Sequence, residues 1–456
     1  MPRLSLIASC LLGLLLWAAP ARAREASLPP WGSGESRGED LSIWLVTFSP
    51  GDDVPSWWGH GSLVVEDTRL GLSRLYNYGM FSFDEAMLAR FAMGRLEFWV
   101  GHSRVDSTFR FYKAEDRDVR IQELNLTPEQ RVNVAKRLAD NVLPENREYL
   151  YHHYNDNCVT RLRDMIDVAT GGQLREMDRA PGRMTLREHT RRYTSVNAPM
   201  SVLLDFMMND EIDHPITKWE EAFLPDELEL QVSALQVKGA DGQPQSLAAR
   251  SWSYYASPTR KRPPFEPPPW GPWILALGVA LGGSAVGLAA WERKRGSRVA
   301  RMLLGLENAI LGLVLGVPGT ALFVMWLVTD HTVVFRNENL FLANPLTLLA
   351  LPFGVALMWG SVKARARLFL VWRVLAATGV LGVVLKVLPP FDQDNWRLIA
   401  LILPISLGMA GAFGLDRVLG APSRLGPGVS RPGQYRPFAQ DSLSLSFSQP
   451  LPEHGA

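Results

Sequence analysis

Two regimes of hydrophobic patterning divide the chain. From residue 41 to 255, apolar positions alternate with polar ones or recur at helical spacing. From 270 to 418 they run almost unbroken between short polar loops. In the first regime the alternation of Leu41–Val46 predicts a strand. After a turn-rich loop (Ser49-Pro50-Gly51-Asp52-Asp53), Gly61–Glu66 and Arg74–Gly79 predict two more. Asp84–Gly94 reads as helix and Leu96–Gly101 as strand. Thr127-Pro128-Glu129-Gln130 is a capping box with proline at the first helical position, and Val132, Ala135, Leu138 and Val142 line one face of the helix it opens. A further helix starts near Cys158, turns Leu162, Met165, Ile166 and Ala169 inward, and stops at Gly171-Gly172. Residues 175–255 carry two or three helices with few diagnostic features. Residues 41–255 are enough for one α+β core.

The second regime changes the class of protein. A span needs about 20 apolar residues, and about 17 at the least. Segments 270–291, 303–328, 346–361, 368–388 and 398–415 predict an all-α membrane domain of five helices, the third being the shortest. Arg293, Lys294, Arg295, Arg298 and Arg301 fall on one side of that path, with Lys363, Arg365, Arg367 and the arginines of the tail. The loops on the other side, Thr329–Pro345 and Leu388–Trp396, have Arg336 as their only lysine or arginine, so that is the outer side. Arg260-Lys261-Arg262 runs against this trend and is outnumbered. Residues 1–23 read as a signal peptide: Arg3, an apolar run, and Ala21-Arg22-Ala23 at its end. Both signals put the soluble domain outside the cytoplasm, in the periplasm of a bacterial inner-membrane protein whose C-terminus is cytoplasmic. Residues 24–40 read as a flexible leader, 256–269 as a stiff proline-rich linker, and 419–456 as a disordered tail.

The net charge of +1 says nothing about acidic partners. The chain lacks a phosphate-binding loop, a dinucleotide glycine motif and a basic patch interleaved with aromatics, so no nucleic-acid partner is expected. His152-His153 with Asp156 fits no common zinc spacing, and neither metal nor cofactor is expected. With Cys10 removed in the signal peptide, one cysteine remains. Cys158 cannot staple the fold, so it is either a small core hydrophobe or a nucleophile. It follows Tyr154-Asn155-Asp156-Asn157 at a helix start, where a thiol's pKa falls. Upstream, Trp57-Trp58-Gly59-His60-Gly61-Ser62 brings a histidine into a strand with room on both sides. A cysteine and a histidine of this kind suit acyl chemistry, given a third group to orient the imidazole. Asn77 is favoured, with Tyr76 and Asp156 open. Backbone N–H groups near Cys158 would supply an oxyanion hole. On the outer side, Asp330–Asn339 is strongly polar. It is either a solvated connector or a floor at the bilayer surface that binds a head group or acceptor through His331, Asn337 and Asn339.

The order of these blocks, histidine strand first and cysteine helix second, resembles the circularly permuted papain-like group that includes lecithin:retinol acyltransferase and NlpC-type peptidases. Trp58-Gly59-His60-Gly61-Ser62, Tyr76-Asn77-Tyr78-Gly79 and Tyr154-Asn155-Asp156-Asn157-Cys158-Val159-Thr160-Arg161 resemble more closely the Lnb-type lipoprotein N-acyltransferases. The resemblance covers most of residues 41–418. It implies that Cys158 takes an acyl chain from a membrane phospholipid as a thioester, with His60 as base, and passes it to the N-terminal amine of a lipoprotein. It also implies substrate contacts from Trp58, Tyr76, Tyr78, Asn157 and Arg161. Two other readings use the same residues. One is a membrane-tethered cysteine hydrolase acting on cell wall or phospholipid, and the other a non-catalytic periplasmic binding module with Cys158 in its core. Oligomeric state is not legible.

Overall fold

The computed structural model describes residues 28–82, 90–238 and 242–419, with the backbone alone for 415–419. The signal peptide, the first residues of the leader, most of the 84–94 helix and the tail beyond 419 lie outside the described residues.

Among the described residues, the soluble part is built on nine strands: β1 (Leu41–Phe48), β2 (His60–Asp67), β3 (Leu72–Met80), β4 (Glu97–Ser103), β5 (Val119–Leu124), β6 (Glu148–Leu150), β7 (Gln236–Lys238), β8 (Pro244–Ser246) and β9 (Ala248–Tyr255). Seven form one antiparallel sheet in the order β6-β4-β3-β2-β1-β5-β9, and β7 and β8 pair separately. Period-two alternation splits each central strand between two cores. Helix α1 (Val105–Ala114) covers one face through Val105 and Phe109, which pack on Val46, Phe48, Val64, Leu75 and Ile121. On the other face, α2 (Pro128–Asn141) and α3 (Cys158–Ala169) bury Ala135, Leu138, Val159, Leu162 and Ile166 against Ile43, Leu45, Leu63, Val65, Tyr76 and Tyr78. This is the expected α+β domain, with histidine strand, Asn-bearing strand and cysteine helix in the permuted papain-like order.

Residues 28–40 are not a flexible leader. Pro30–Ser33 forms a helical turn, Trp31 is 2 % exposed, and its Nε1 donates to the Tyr76 hydroxyl at 2.8 Å. A single large aromatic holds an otherwise polar segment in the core, and composition alone hides it. The linker is anchored as well. Arg260 forms an ion pair with Asp52 and donates to the Asp116 carbonyl, while Arg183 stacks on Phe265 and donates to its carbonyl. Those contacts account for Arg260, one of the three basic residues that run against the charge trend.

Beyond α4 (Leu186–Tyr193), α5 (Ala198–Met207) and α6 (Pro225–Ala234) lies the membrane part: α7 (Gly271–Arg295), α8 (Arg298–Val328), α9 (Ala350–Met358), α10 (Val362–Leu385) and α11 (Trp396–Leu419). Four of these helices are long and apolar enough to cross a bilayer. The expected third span, 346–361, departs from a simple crossing. Thr332–Phe341 and Pro345–Met358 form one broken unit bent by 60°, which makes a fifth span only if the pair is counted together. Its apolar half is short, and Gly354 packs so tightly on α8 that an added Cβ would stand 2.6 Å from the Ala309 nitrogen and the Gly305 oxygen. Trp273 and Trp396 are exposed near the end of the bundle that meets the soluble domain, and Trp291 and Trp359 near the other, the pattern of interfacial belts.

The soluble domain docks on the end of the bundle opposite the arginine-rich loops. The Nδ2 groups of Asn337 and Asn339 donate to the Phe206 carbonyl at 3.2 and 2.9 Å, and Asn209 donates to the carbonyls of Thr332 and Phe335. Arg191 bridges Asp205 and Asp394. Phe206 itself packs with Leu322, Val334, Leu342, Leu398 and Ile402.

Candidate functional site

The site forms where β2 begins and α3 begins. Asn157 opens α3: its Oδ1 accepts from the N–H groups of Val159 and Thr160 at 2.8 and 2.9 Å, and Thr160 returns a bond to its backbone N–H. Its Nδ2 donates to the carbonyls of His153 and Phe223. With both ends of its amide used and only 4 % of it exposed, Asn157 builds the helix start and offers nothing to a substrate.

Cys158, half-buried, then stands over two glycines. At Gly61 an added Cβ would meet Leu162 of α3 at 2.9 Å. At Gly79, whose φ is +83°, it would stand 3.4 Å from the Cys158 Cβ. Small residues at these points let the helix start come down onto the sheet. The backbone N–H groups of Gly61, Val159 and Cys158 itself lie near enough to the sulfur to favour its thiolate form. Gly61 is the residue that follows His60, so the thiol lies beside the peptide unit that carries the histidine. No hydrogen bond joins the two side chains.

His60 lies on the α1 side of the sheet. Its Nε2 donates to Oδ1 of Asn77 at 3.2 Å, and Ser62 Oγ donates to the same oxygen at 2.6 Å. An amide oxygen only accepts, so the ring proton sits on Nε2 and Nδ1 is the free base. The ring stacks with Phe48 and Tyr112. Tyr112 in turn lies under the Arg117 guanidinium, 4.7 Å from its ring centre.

The electrostatics differ from the sequence expectation of a lowered thiol pKa. Burial pushes Cys158 up to about 11, outweighing the three N–H groups that pull it down. Burial also lowers His60 to about 4, against the opposing effect of its bond to Asn77, and nearby Arg117 lowers it further. The resting pair is therefore a neutral thiol and a neutral imidazole.

Several residues expected at the substrate are engaged elsewhere. Tyr76 and Tyr78 are 0 and 1 % exposed, and their hydroxyls accept from Trp31 and Asn141. Their side chains alternate with Asn77 along β3 and face the core instead. Trp58 packs edge-on to His153 at 4.5 Å between ring centres, and Trp57 is core. Arg161 is held by both oxygens of Asp156, and its guanidinium lies 4.5 Å over the Tyr149 ring. Asn337 and Asn339 are buried in the docking seam, and His331 Nε2 binds the Phe91 carbonyl at 3.0 Å. These loop residues join the domain to the bundle and form no open floor. His189 is fully buried, and its Nε2 meets Glu221 at 2.9 Å.

Tyr112, Tyr149 and Tyr151, none of them singled out in the sequence, stand close enough for the Cys158 charge to raise their hydroxyl pKa values, chiefly set by burial. Tyr151 also stacks on Phe98 at 4.4 Å between ring centres. The signal for two of them lies in the alternation of Tyr149 and Tyr151 just upstream of the cysteine.

Residues 27–192 match the family described as the Lnb N-terminal periplasmic domain, and residues 271–409 the one described as the Lnb transmembrane domain. Neither a curated protein nor a solved structure matches the chain.

Proposed function

The chain belongs to the Lnb family, a membrane protein with a periplasmic N-terminal domain, and on that footing we propose that it is a cysteine acyltransferase. It moves a fatty acyl chain from a membrane phospholipid, through a Cys158 thioester, to the N-terminal amine of a lipoprotein. The observation that carries this reading is the position of Cys158 at a helix start against the His60–Gly61 peptide, with His60 oriented by Asn77. The docking of this domain on the outer end of apolar helices supports a lipid as donor.

In the first half-reaction Sγ attacks the ester carbonyl carbon as its proton passes to Nδ1 of His60. The carbonyl π electrons move to oxygen. Collapse of that oxyanion breaks the ester C–O bond, and the departing alkoxide takes the proton from His60 to leave a lysolipid. In the second, the acceptor amine attacks the thioester carbonyl and gives its proton to His60. The C–S bond breaks, and the sulfur recovers a proton from the imidazolium. A neutral resting pair suits this sequence, because the proton moves as the nucleophile attacks. Orientation completes the proposal: the arginine-rich loops and the C-terminus face the cytoplasm.

The test is the intact mass of the purified protein after incubation with phospholipid, before and after neutral hydroxylamine. A labile acyl adduct absent in Cys158→Ala supports the reading. Release of free fatty acid with a lipoprotein-type acceptor present would make the protein a lipase, and retained function in Cys158→Ser would leave a binding module.

A further inference from the structure

The hydroxyl of Tyr149 is buried and meets no hydrogen-bond partner among the described residues. A buried donor without a partner costs free energy, on the order of 1–3 kcal/mol, so one kept beside a candidate nucleophile calls for an explanation. Tyr149 sits at the centre of β6, the edge strand, paired with Phe98 of β4. Its hydroxyl stands 3.9 Å from the point where a Cβ on Gly79 would lie, and the Cys158 Cβ is 3.4 Å from that same point. Hydroxyl and cysteine thus flank one small empty volume over Gly79. The ring is fixed from behind by Arg161, which Asp156 holds by two bonds.

Resting on the acyl-transfer reading, we propose that Tyr149 is a catalytic residue whose hydroxyl donates to the oxyanion that forms when Cys158 attacks an acyl carbonyl. The missing partner in the resting structure is then the carbonyl oxygen of the substrate. Such a donor is most effective when pre-oriented in a site with little water, where it need not reorganise as charge appears. Burial, reinforced by the neighbouring thiol, raises the phenol pKa, so the group stays a donor throughout the working pH range. Gly79 is part of the same arrangement, because any side chain there would fill the volume in which the oxyanion forms.

The test compares two reactions of one thiol in full-length protein in detergent. Acylation by a p-nitrophenyl fatty ester passes through an oxyanion, whereas alkylation by iodoacetamide does not. Tyr149→Phe is expected to slow acylation about 100-fold, at the lower end of what loss of one oxyanion donor costs, and to leave alkylation unchanged. Its melting temperature should be equal or higher, since the change removes only an unpaired hydroxyl. Unchanged acylation overturns the proposal, as does an equal fall in both reactions, which would mean that Tyr149 acts on the thiol itself. A wild-type protein that alkylates normally and never acylates overturns the acyl-transfer reading and the role of Tyr149 with it.

Discussion

Oδ1 of Asn77 accepts from both Nε2 of His60, at 3.2 Å, and Oγ of Ser62, at 2.6 Å. One amide oxygen therefore fixes the ring tautomer, while the Ser62 hydroxyl fixes the amide. Asn77→Ala should leave the imidazole free to adopt the wrong tautomer and slow thioester formation by roughly 10–100-fold, with little effect on folding. Asn77→Asp keeps the acceptor and adds a negative charge, which favours the imidazolium. Its acid limb in a pH–rate profile should move upward from that of the wild type. A profile superimposable on the wild type's would rule out control of His60 by this position.

Cys158 should behave as an ordinary buried thiol. With its pKa near 11, iodoacetamide alkylation should rise about tenfold per pH unit between pH 6 and 9 and show no plateau there. His60→Ala should leave the alkylation rate at pH 7 nearly unchanged while abolishing acylation. A plateau at low pH, lost in His60→Ala, would reveal a resting ion pair and contradict the neutral pair described above.

Acid should destabilise the soluble domain earlier than its carboxylates alone would require. Burial lowers both His60 and His153 to about 4, against about 6.5 in an unfolded chain. Between those values the unfolded state binds protons that the folded state refuses, so stability falls as pH drops from about 6.5 to 4. Denaturant midpoints across that window should show the slope, and His153→Phe should flatten it.

Arg187, 1 % exposed, holds Asp205 and Asp213 together and donates to the carbonyls of Met208 and Asn209. Removing it would leave the buried Asp213 carboxylate without its ion partner and Asp205 with Arg191 alone. Arg187→Ala should cost on the order of 3–5 kcal/mol, read as a large fall in melting temperature in detergent. Arg37→Ala, on an exposed side chain, serves as the neutral control.

Trp31 gives the opposite of what the composition of its segment suggests. Trp31→Ala should cost about 3–5 kcal/mol through the lost ring volume and the unpaired Tyr76 hydroxyl. A flexible leader would tolerate the change without loss.

What could be read from the sequence was local. The capping box at Thr127, the helix start at Asn157, the glycine-flanked His60 and the Gly171-Gly172 stop all express their physics within a few residues. The placement of Asn77 against His60 also followed, because adjacent antiparallel strands bring such residues side by side. Long-range partners were not legible. A polar loop such as Asp330–Asn339 has the same composition whether water or the Phe206 carbonyl receives its amides. Tyr76 and Tyr78 flank Asn77 in the chain, yet the pleat of β3 sends them to the other face. Tyr149 lies on a three-residue edge strand whose pairing with β4 no local pattern announces. The thiol pKa departs from the sequence expectation because a helix start is visible in sequence and burial is not.

The seam made by Asn209, Asn337, Asn339 and the Arg191–Asp394 pair has a consequence for how partners are met. A domain bolted down at that many points cannot swing, so the height of Cys158 above the lipid becomes a fixed length, as in a gauge. On the acyl-transfer reading proposed above, molecules are then sorted by how far their reactive group protrudes from the bilayer, before any pocket reads their shape. The quantity that governs encounter is the number of such molecules per unit area of membrane, and dissolved concentration drops out.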